Sequence, residues 1–342
     1  MQGSIQPLNK TQGITTSCIE ISVKGKWLTV PALNVSGKNL IVRGSWLKTA
    51  IVDAEEWLDT ELEDPDLCIR KLKESRSHGL YADIFTFTQK LPATLPKYSY
   101  PLEWESVAVV RTTSFKDWWE KLPQETRKNV RRAQKRGVVI IVKELDADAI
   151  QGLVELNNDS PVRQNKTYYH FGKSADQVRK DQESFAGRRE LLFAYLGGEL
   201  IGFLKLVYRG DVAAILQFLP RAGHYDARPA NALIAKAVEI CEAKGITHLT
   251  YGLYNYGNKR GDAIREFKSR NGFEEMLMPR FYVPLTMKGK LCMKLNLHRG
   301  LIGFLPHRLI ALGVRVRAGC YNLMRRFSML KQGVGNSRTR AT

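Results

Sequence analysis

The stretch ELLFAYLGGELIGFLKLVYRGDVAAILQFLP, residues 190–220, constrains the fold more than any other part of the chain. Three apolar, β-rich runs are joined by Gly197-Gly198 and Gly210-Asp211. Such dipeptides suit two-residue hairpin turns because they accept positive φ. The stretch therefore predicts three antiparallel strands in succession. A helical pattern follows from Pro229 to Lys244, with Pro at its start and Gly245 just past its end. Then come a strand (THLTYGLY), a short helix (DAIREFKSRNGF) and a strand (RFYVPL). The order from residue 190 is β-β-β-α-β-α-β. An antiparallel meander that feeds helices onto its face belongs to the α+β, or mixed α/β, class.

Upstream, CIEISVKGKWLTV predicts a hairpin turning at Lys24-Gly25, and NLIVRG and KTAIVD add short strands. DPDLCIRKLKES predicts a helix with Asp64 as N-cap before Pro65. ADIFTFTQ and SVAVVRT are strands on either side of LPATLPKYSYPLEWE, whose three prolines predict an extended loop. Ser114 to Asp117 opens a helix carrying Trp118 and Trp119, and Pro123 opens a second one ending at Gly137. VVIIVKEL then predicts a strand, DADAIQGLVELNN a helix, and Ser174 with Gln177 the capping box of another helix. The expected organisation is a disordered tail over 1–14 and an N-terminal α/β lobe over 15–137. A second mixed α/β domain over 138–286 and a basic amphipathic extension over 287–342 complete it.

Hydrophobic residues make up 44% of the 342, enough to fill a core. None of the five cysteines forms a CxxC pair and the six histidines show no HxxxH spacing, so neither a metal site nor a disulfide framework is expected. No run of eighteen uncharged apolar residues occurs, and the first residues lack a signal-peptide pattern. A cytoplasmic location is expected. Net charge is +19, unevenly spread: residues 276–342 hold thirteen Lys and Arg and no acid, which leaves +6 for the first 275. In that segment Leu309, Leu312, Val316, Cys320, Leu323 and Phe327 form one helical stripe, with Arg308, Arg315, Arg325 and Arg326 largely away from it. A basic amphipathic helix suits an anionic membrane surface, through residues 288–342. Packing of the same stripe on the protein itself is the competing expectation.

Three stretches carry a resemblance to a known family. LPQETRKNVRRAQKRGVVI resembles the basic helix and strand entering the transferase domain of Fem-type and BioF2/CelD-like acyltransferases. GELIGFLKLVY resembles the hairpin common to the GNAT acyltransferase superfamily. AIREFKSRNGF resembles the Fem-type FKxxFG signature, with Asn271-Gly272-Phe273 in place of Phe-Gly. The likeness runs from about Ser114 to Leu285. It implies a GNAT-like mixed sheet with helices on both faces, preceded by a second, degenerate GNAT-like lobe.

In such folds acyl-CoA lies where two neighbouring strands part, its pyrophosphate held by amides at the start of the next helix, where unpaired N–H groups and the helix dipole favour anions. The resemblance places that site at RAGHYDARPANAL, which has a single glycine, Gly223, while Pro229 removes one N–H. Arg221, His224 and Arg228 are the expected replacements for the missing amides, with Asn231 and Gln217 as further donor contacts. The family likeness makes Lys268 the catalytic candidate, a cation offsetting charge on the carbonyl oxygen. The loop 160–173 is the expected acceptor site, through Arg163, Gln164, Tyr168, Tyr169 and Lys173, with Tyr251 at a strand end and His170 as a candidate base. Its competing description is an irregular surface loop.

The resemblance implies an N-acyltransferase moving an acyl group from acyl-CoA, or a similar carrier, to a small-molecule or peptide-like amine; the residues alone support a ligand-binding α/β domain. Two other functions compete. One is a Fem-type transferase that uses aminoacyl-tRNA on a cell-wall or nucleotide-linked precursor; the basic run Arg127, Lys128, Arg131, Arg132, Lys135 and Arg136 would then meet RNA phosphates, though such runs are usually solvated faces. The other is a non-catalytic membrane-surface or scaffold protein on a degenerate GNAT fold.

Overall fold

A computed structural model describes residues 16–54, 60–78, 80–163, 166–255 and 263–299. The expectations for the N-terminal tail, for Gln164 and for the amphipathic stripe 309–327 lie outside the described residues.

The chain divides into two units, Met1–Leu285 and Thr286–Thr342. In the first, the strands are β1 (Thr16–Val23), β2 (Lys26–Val35), β3 (Lys38–Arg43), β4 (Thr49–Val52), β5 (Ile84–Thr88), β6 (Leu102–Arg111) and β7 (Val139–Val142). They continue with β8 (Val162–Arg163), β9 (Lys166–Thr167), β10 (Arg189–Leu196), β11 (Glu199–Arg209), β12 (Val212–Pro220), β13 (His248–Leu253) and β14 (Glu274–Pro284). The helices are α1 (Pro65–Glu74), α2 (Phe115–Lys121), α3 (Gln124–Lys135), α4 (Ala147–Asn158), α5 (Ala175–Glu183), α6 (Pro229–Ala243) and α7 (Ala263–Arg270). In the second unit α8 (Met287–Lys294) is capped by Thr286, whose hydroxyl accepts from the Gly289 amide.

Twelve strands form one mixed sheet in the order β1-β2-β3-β4-β5-β14-β6-β13-β12-β11-β10-β7, and β8 and β9 pair separately. The meander β10-β11-β12 turns at the two glycine dipeptides. Its strands are apolar nearly throughout because both faces are covered. Leu192 and Ala194 pack with Leu233, Val238 and Cys241 of α6. Leu191 and Phe193 pack on the other side with Ile150 and Leu153 of α4 and Val178 of α5. Helices thus lie on both faces of this half, as the likeness implies. Gly202 lies in β11 under the start of α6, where a Cβ would stand 3.1 Å from Leu233 and 3.3 Å from Pro229. Its lack of a side chain sets how closely α6 approaches the sheet.

The two halves repeat one device. Strand β4 runs parallel to β5 through α1, and β12 runs parallel to β13 through α6. Between these crossovers lies the antiparallel pair β6·β14, in register from Leu102↔Phe281 to Glu274↔Val109. Strand β14 comes from the C-terminal half yet pairs with β5, and β6 comes from the N-terminal half yet pairs with β13. Each half thereby completes the sheet of the other. This pairing also corrects two expected boundaries. Strand β6 starts at Leu102, inside the expected loop, and β14 starts at Glu274 rather than near Arg280, because each supplies the other's hydrogen bonds.

The turn that departs from the FKxxFG pattern has a structural reason. Helix α7 ends with Gly272 at φ +81°, and the Phe273 amide bonds back to the Lys268 carbonyl at 3.0 Å, the six-to-one bond of a glycine-terminated helix. A Cβ on Gly272 would lie 2.6 Å from Nε1 of Trp118. Trp118 Nε1 in turn donates to the Asn271 carbonyl at 3.2 Å. Gly272→Ala combines left-handed strain with this clash, so it should cost about 2 kcal/mol or more. Urea unfolding of the purified variant checks it, and a loss below about 0.5 kcal/mol would contradict it.

Candidate functional site

The sheet opens between β12 and β13. Their parallel ladder has three pairs, Val212↔His248, Ala213↔Leu249 and Ala214↔Thr250, and then stops. Past it, β12 stays with β11 through a bulge at Leu216, for Ile215 pairs with Leu206 and Gln217 with Lys205. Strand β13 stays with β6, with its own irregularity between Thr250 and Leu253 and Gly252 at φ +54°. Each strand bends toward its other neighbour, and the two part. Aromatic rings stand on the α6 side of the gap: Phe218 lies 5.8 Å from Tyr251 and 5.7 Å from Phe267.

On that same side lie most of the expected donor contacts. A 3-10 turn over Ala222–Ala227 leads to Arg228, which takes φ +59°, ψ +38° as the residue before α6. Left-handed backbone in an arginine costs roughly 1–2 kcal/mol, and such strain is retained where function needs the side chain. Among the described residues the Arg228 side chain has no hydrogen-bond or ion-pair partner, and its Nε is buried. Arg221 is engaged: it pairs with Glu199, which His224 Nε2 also approaches at 3.3 Å. An anion at Arg221 would have to displace that carboxylate. Asn231 Nδ2 donates to Asn271 Oδ1 at 2.9 Å, and Asn271 Nδ2 donates to the Phe267 carbonyl at 2.7 Å, tying the start of α6 to the end of α7.

Lys268 is fully buried. Its Nζ donates to the carbonyls of Tyr251 and Leu253 at 2.6 and 2.7 Å and stands 4.4 Å from the Tyr251 ring centre. Burial pulls its ammonium down to about 8. The expected contact with a developing oxyanion would have to be made alongside these two carbonyl bonds.

Of the expected acceptor residues, Tyr251 lies on the α6 side. Those of the loop 160–173 gather on the opposite face, beside α4 and α5, and Asp181 of α5 organises them. Its carboxylate binds Lys173, lies 3.1 Å from His170 Nδ1 and accepts from Trp27 Nε1 at 3.1 Å. Burial pushes the Asp181 carboxyl up, but the bonds from His170 and Lys173 outweigh it and hold the group below its ordinary value. Lys173 is 8% exposed and neutralised, so it supplies no free charge to a ligand; His170 keeps only Nε2 for one. Arg163 donates to the carbonyls of Pro220 and Leu156 at 3.0 and 3.2 Å and lies over the Tyr168 ring. Tyr168 donates to Asn157 Oδ1 at 2.9 Å. Tyr169 is exposed, its backbone against Gly25 of the β1–β2 turn. Gln217 accepts from Gln182 Nε2 at 2.7 Å.

Sequence reasoning missed Asp181, Gln182, Trp27 and Lys205. Lys205, in the middle of β11, is 1% exposed and donates to the carbonyls of Asp181 and Gln182 and to Ser184 Oγ at 3.0, 3.1 and 2.9 Å. The signal was available: a lysine inside GFLKLVY sits where a doubly covered strand should be apolar. Among the described residues no group of His, Cys, Asp and Glu could hold a metal ion, and no helix is long and apolar enough to cross a membrane.

Residues 121–268 match the family described as acetyltransferase (GNAT) domain. Among solved structures, the crystal structure of FemX is similar at a TM-score of 0.51 and 10% identity, covering 83% of this chain and 91% of that one. L-PGS from Bacillus licheniformis is similar at a TM-score of 0.50 and 13% identity, covering 78% and 86%. At these identities the likeness is one of fold. No curated protein matches the sequence. Residues 121–268 therefore match a GNAT-type acetyltransferase domain, set within a larger fold similar to those of FemX and L-PGS.

Proposed function

We propose that the chain is an N-acyltransferase in which the donor enters from the α6 side of the gap between β12 and β13 and the amine acceptor from the α5 side. The observation that carries this reading is the placement of an unpartnered arginine, in strained backbone at a helix start, beside strands that part. Arg228, with the first free amides of α6 after Pro229, would hold the phosphates of acyl-CoA or a similar carrier. Asn231 and Tyr251 flank the path. Across the sheet, Gln217, Tyr168 and the exposed Tyr169 would meet the acceptor. The amine nitrogen bonds to the acyl carbon, the carrier leaves with the electron pair, and the proton lost by the amine would go to a base, for which His170 Nε2 is the candidate. Asp181 on the other ring nitrogen would orient that imidazole.

A second reading has its own support. Pro229 removes an amide, no glycine-rich cradle precedes α6, and aromatic rings stand in the gap. These features suit a carrier other than CoA, such as an aminoacyl-tRNA, on a fold similar to that of FemX.

Thermal shift separates the readings, since a ligand that binds the folded state raises the melting temperature. Acetyl-CoA, a long-chain acyl-CoA and an aminoacyl-tRNA are each added to the parent and to Arg228→Gly. The parent should shift with acyl-CoA. Glycine relieves the left-handed strain, so the free variant should match the parent or gain up to about 1 kcal/mol, yet lose most of the ligand-induced shift. A shift with aminoacyl-tRNA alone would select the second reading. No shift with any donor would defeat both and leave a non-catalytic protein on this fold.

A further inference from the structure

We infer that Lys268 is a positioning residue: its side-chain nitrogen takes the place of the ladder partners that β13 loses where β12 turns away, and so keeps the gap between the two strands open for the donor. The inference rests on the acyltransferase reading for what fills the gap, but not for the gap itself.

Two buried strand carbonyls without donors would cost more than a sheet edge tolerates. The last paired residue of β13 against β12 is Thr250. The next carbonyls bonded by Lys268 are those of Tyr251 and Leu253, one on each side of Gly252, where positive φ bends the strand. One side-chain nitrogen thus serves both carbonyls across the bend. The lysine is itself held from behind. Helix α7 is closed by the Phe273 to Lys268 backbone bond and by Gly272 against Trp118, and Thr126 of α3 donates to the Arg270 carbonyl at 2.9 Å. The Tyr251 ring lies under the ammonium and against Phe273, 5.8 Å away. The site is therefore rigid, and Nζ faces strand backbone. The ammonium carries three hydrogens and the neutral amine two, enough in either form for two carbonyls, so the hold persists whichever form is present.

The test uses the full chain with Lys268→Met, which keeps the side-chain length and removes the donor. Hydrogen exchange is read first, because it needs no ligand. Exchange of the amides between 250 and 255, including the Tyr254 amide that bonds to the Ser106 carbonyl, should accelerate at least tenfold while β10 and β11 stay protected. Unchanged exchange over 250–255 in a folded variant overturns the inference. With acetyl-CoA as donor, KM should rise tenfold or more, kcat at saturation should stay within about threefold, and the pH–rate profile should keep the parent's shape. A kcat loss of a hundredfold at unchanged KM, with a limb near pH 8 removed, would make Lys268 catalytic and also overturns it. If Lys268→Met does not fold, Lys268→Gln, which retains two N–H hydrogens, is read by the same exchange criterion and should fall between parent and the expected Met behaviour; acceleration beyond tenfold with Gln would count against the inference. If acetyl-CoA fails to bind the parent, the donor reading has failed, and the exchange result still decides the role of Lys268.

Discussion

Asp181→Ala should lower the unfolding free energy by about 3–5 kcal/mol, because it strips the counter-charge from a buried lysine. Three donors converge on that carboxylate, from β2 (Trp27), from the loop after β9 (His170) and from the turn before α5 (Lys173). Removing it leaves Lys173 charged and 8% exposed, and leaves the Trp27 indole N–H without its acceptor. Asp181→Asn should lose less, since an amide oxygen still serves Trp27. The effect is pH-dependent in a defined direction. The folded carboxyl lies below the ordinary aspartate value of about 3.9, so its contribution is complete above that pH and disappears as pH falls through the lower folded value. Urea unfolding of parent and variant at pH 7 and at pH 3 measures both. A loss under about 1 kcal/mol at pH 7 would show that the carboxylate does not hold the hairpin and loop together. The functional consequence follows from the same bonds: Trp27 ties the β1–β2 hairpin to the acceptor side, so the variant's acceptor KM should rise more than its donor KM.

The local parts of this fold are legible in the sequence and the non-local parts are not. Asp64, Ser114 and the Ser174–Gln177 box mark helix starts that the structure reproduces, since a cap is a contact within three residues. The glycine dipeptides mark the meander for the same reason. Nothing local announces that β6 and β14 change places between the halves, because their hydrogen bonds link residues more than 160 positions apart. The site divides in the same way. Arg163, His170 and Lys173 read as a crowd of ligand groups because their partners lie elsewhere: Pro220 for Arg163, and Asp181 for the other two. Arg228 reads as one basic residue among several, and only the backbone shows it to be strained and unpartnered while Arg221 is paired. Lys268 stands out by family likeness, yet its burial and its two carbonyl partners follow from where β12 leaves β13.

Lys205 should make the protein more stable as pH rises from 7 toward 9, a range over which an ordinary surface lysine, protonated in both states, contributes no slope. Its ammonium is pulled down to about 7, mainly by burial and next by Arg189, with Asp181 opposing the shift. In the unfolded chain it titrates near the ordinary lysine value of about 10.4. Between those values the unfolded chain holds a proton that the folded chain has released, so raising the pH favours the fold. A single such group adds up to about 1.4 kcal/mol of stability per pH unit. Lys268, drawn down to about 8, adds in the same direction over the upper part of the range. Cys68 and Cys241, both pushed up to about 12 by burial, act the opposite way only above the ordinary thiol range, so pH 7 to 9 is the window in which the lysines dominate. Lys205→Met should remove most of the slope between pH 7 and 8. At pH 7 it exchanges the cost of a buried, half-protonated amine for the cost of three bare acceptors, the Asp181 and Gln182 carbonyls and the Ser184 hydroxyl. Those acceptors belong to the end of the helix that presents Asp181 to the hairpin and Gln182 to Gln217, so the variant should weaken the acceptor side even where its overall stability changes little. Chemical unfolding at half-unit pH steps decides it: equal slopes for parent and variant would mean that Lys205 stays charged in the fold, and that its three acceptors together outweigh the cost of burying an ammonium.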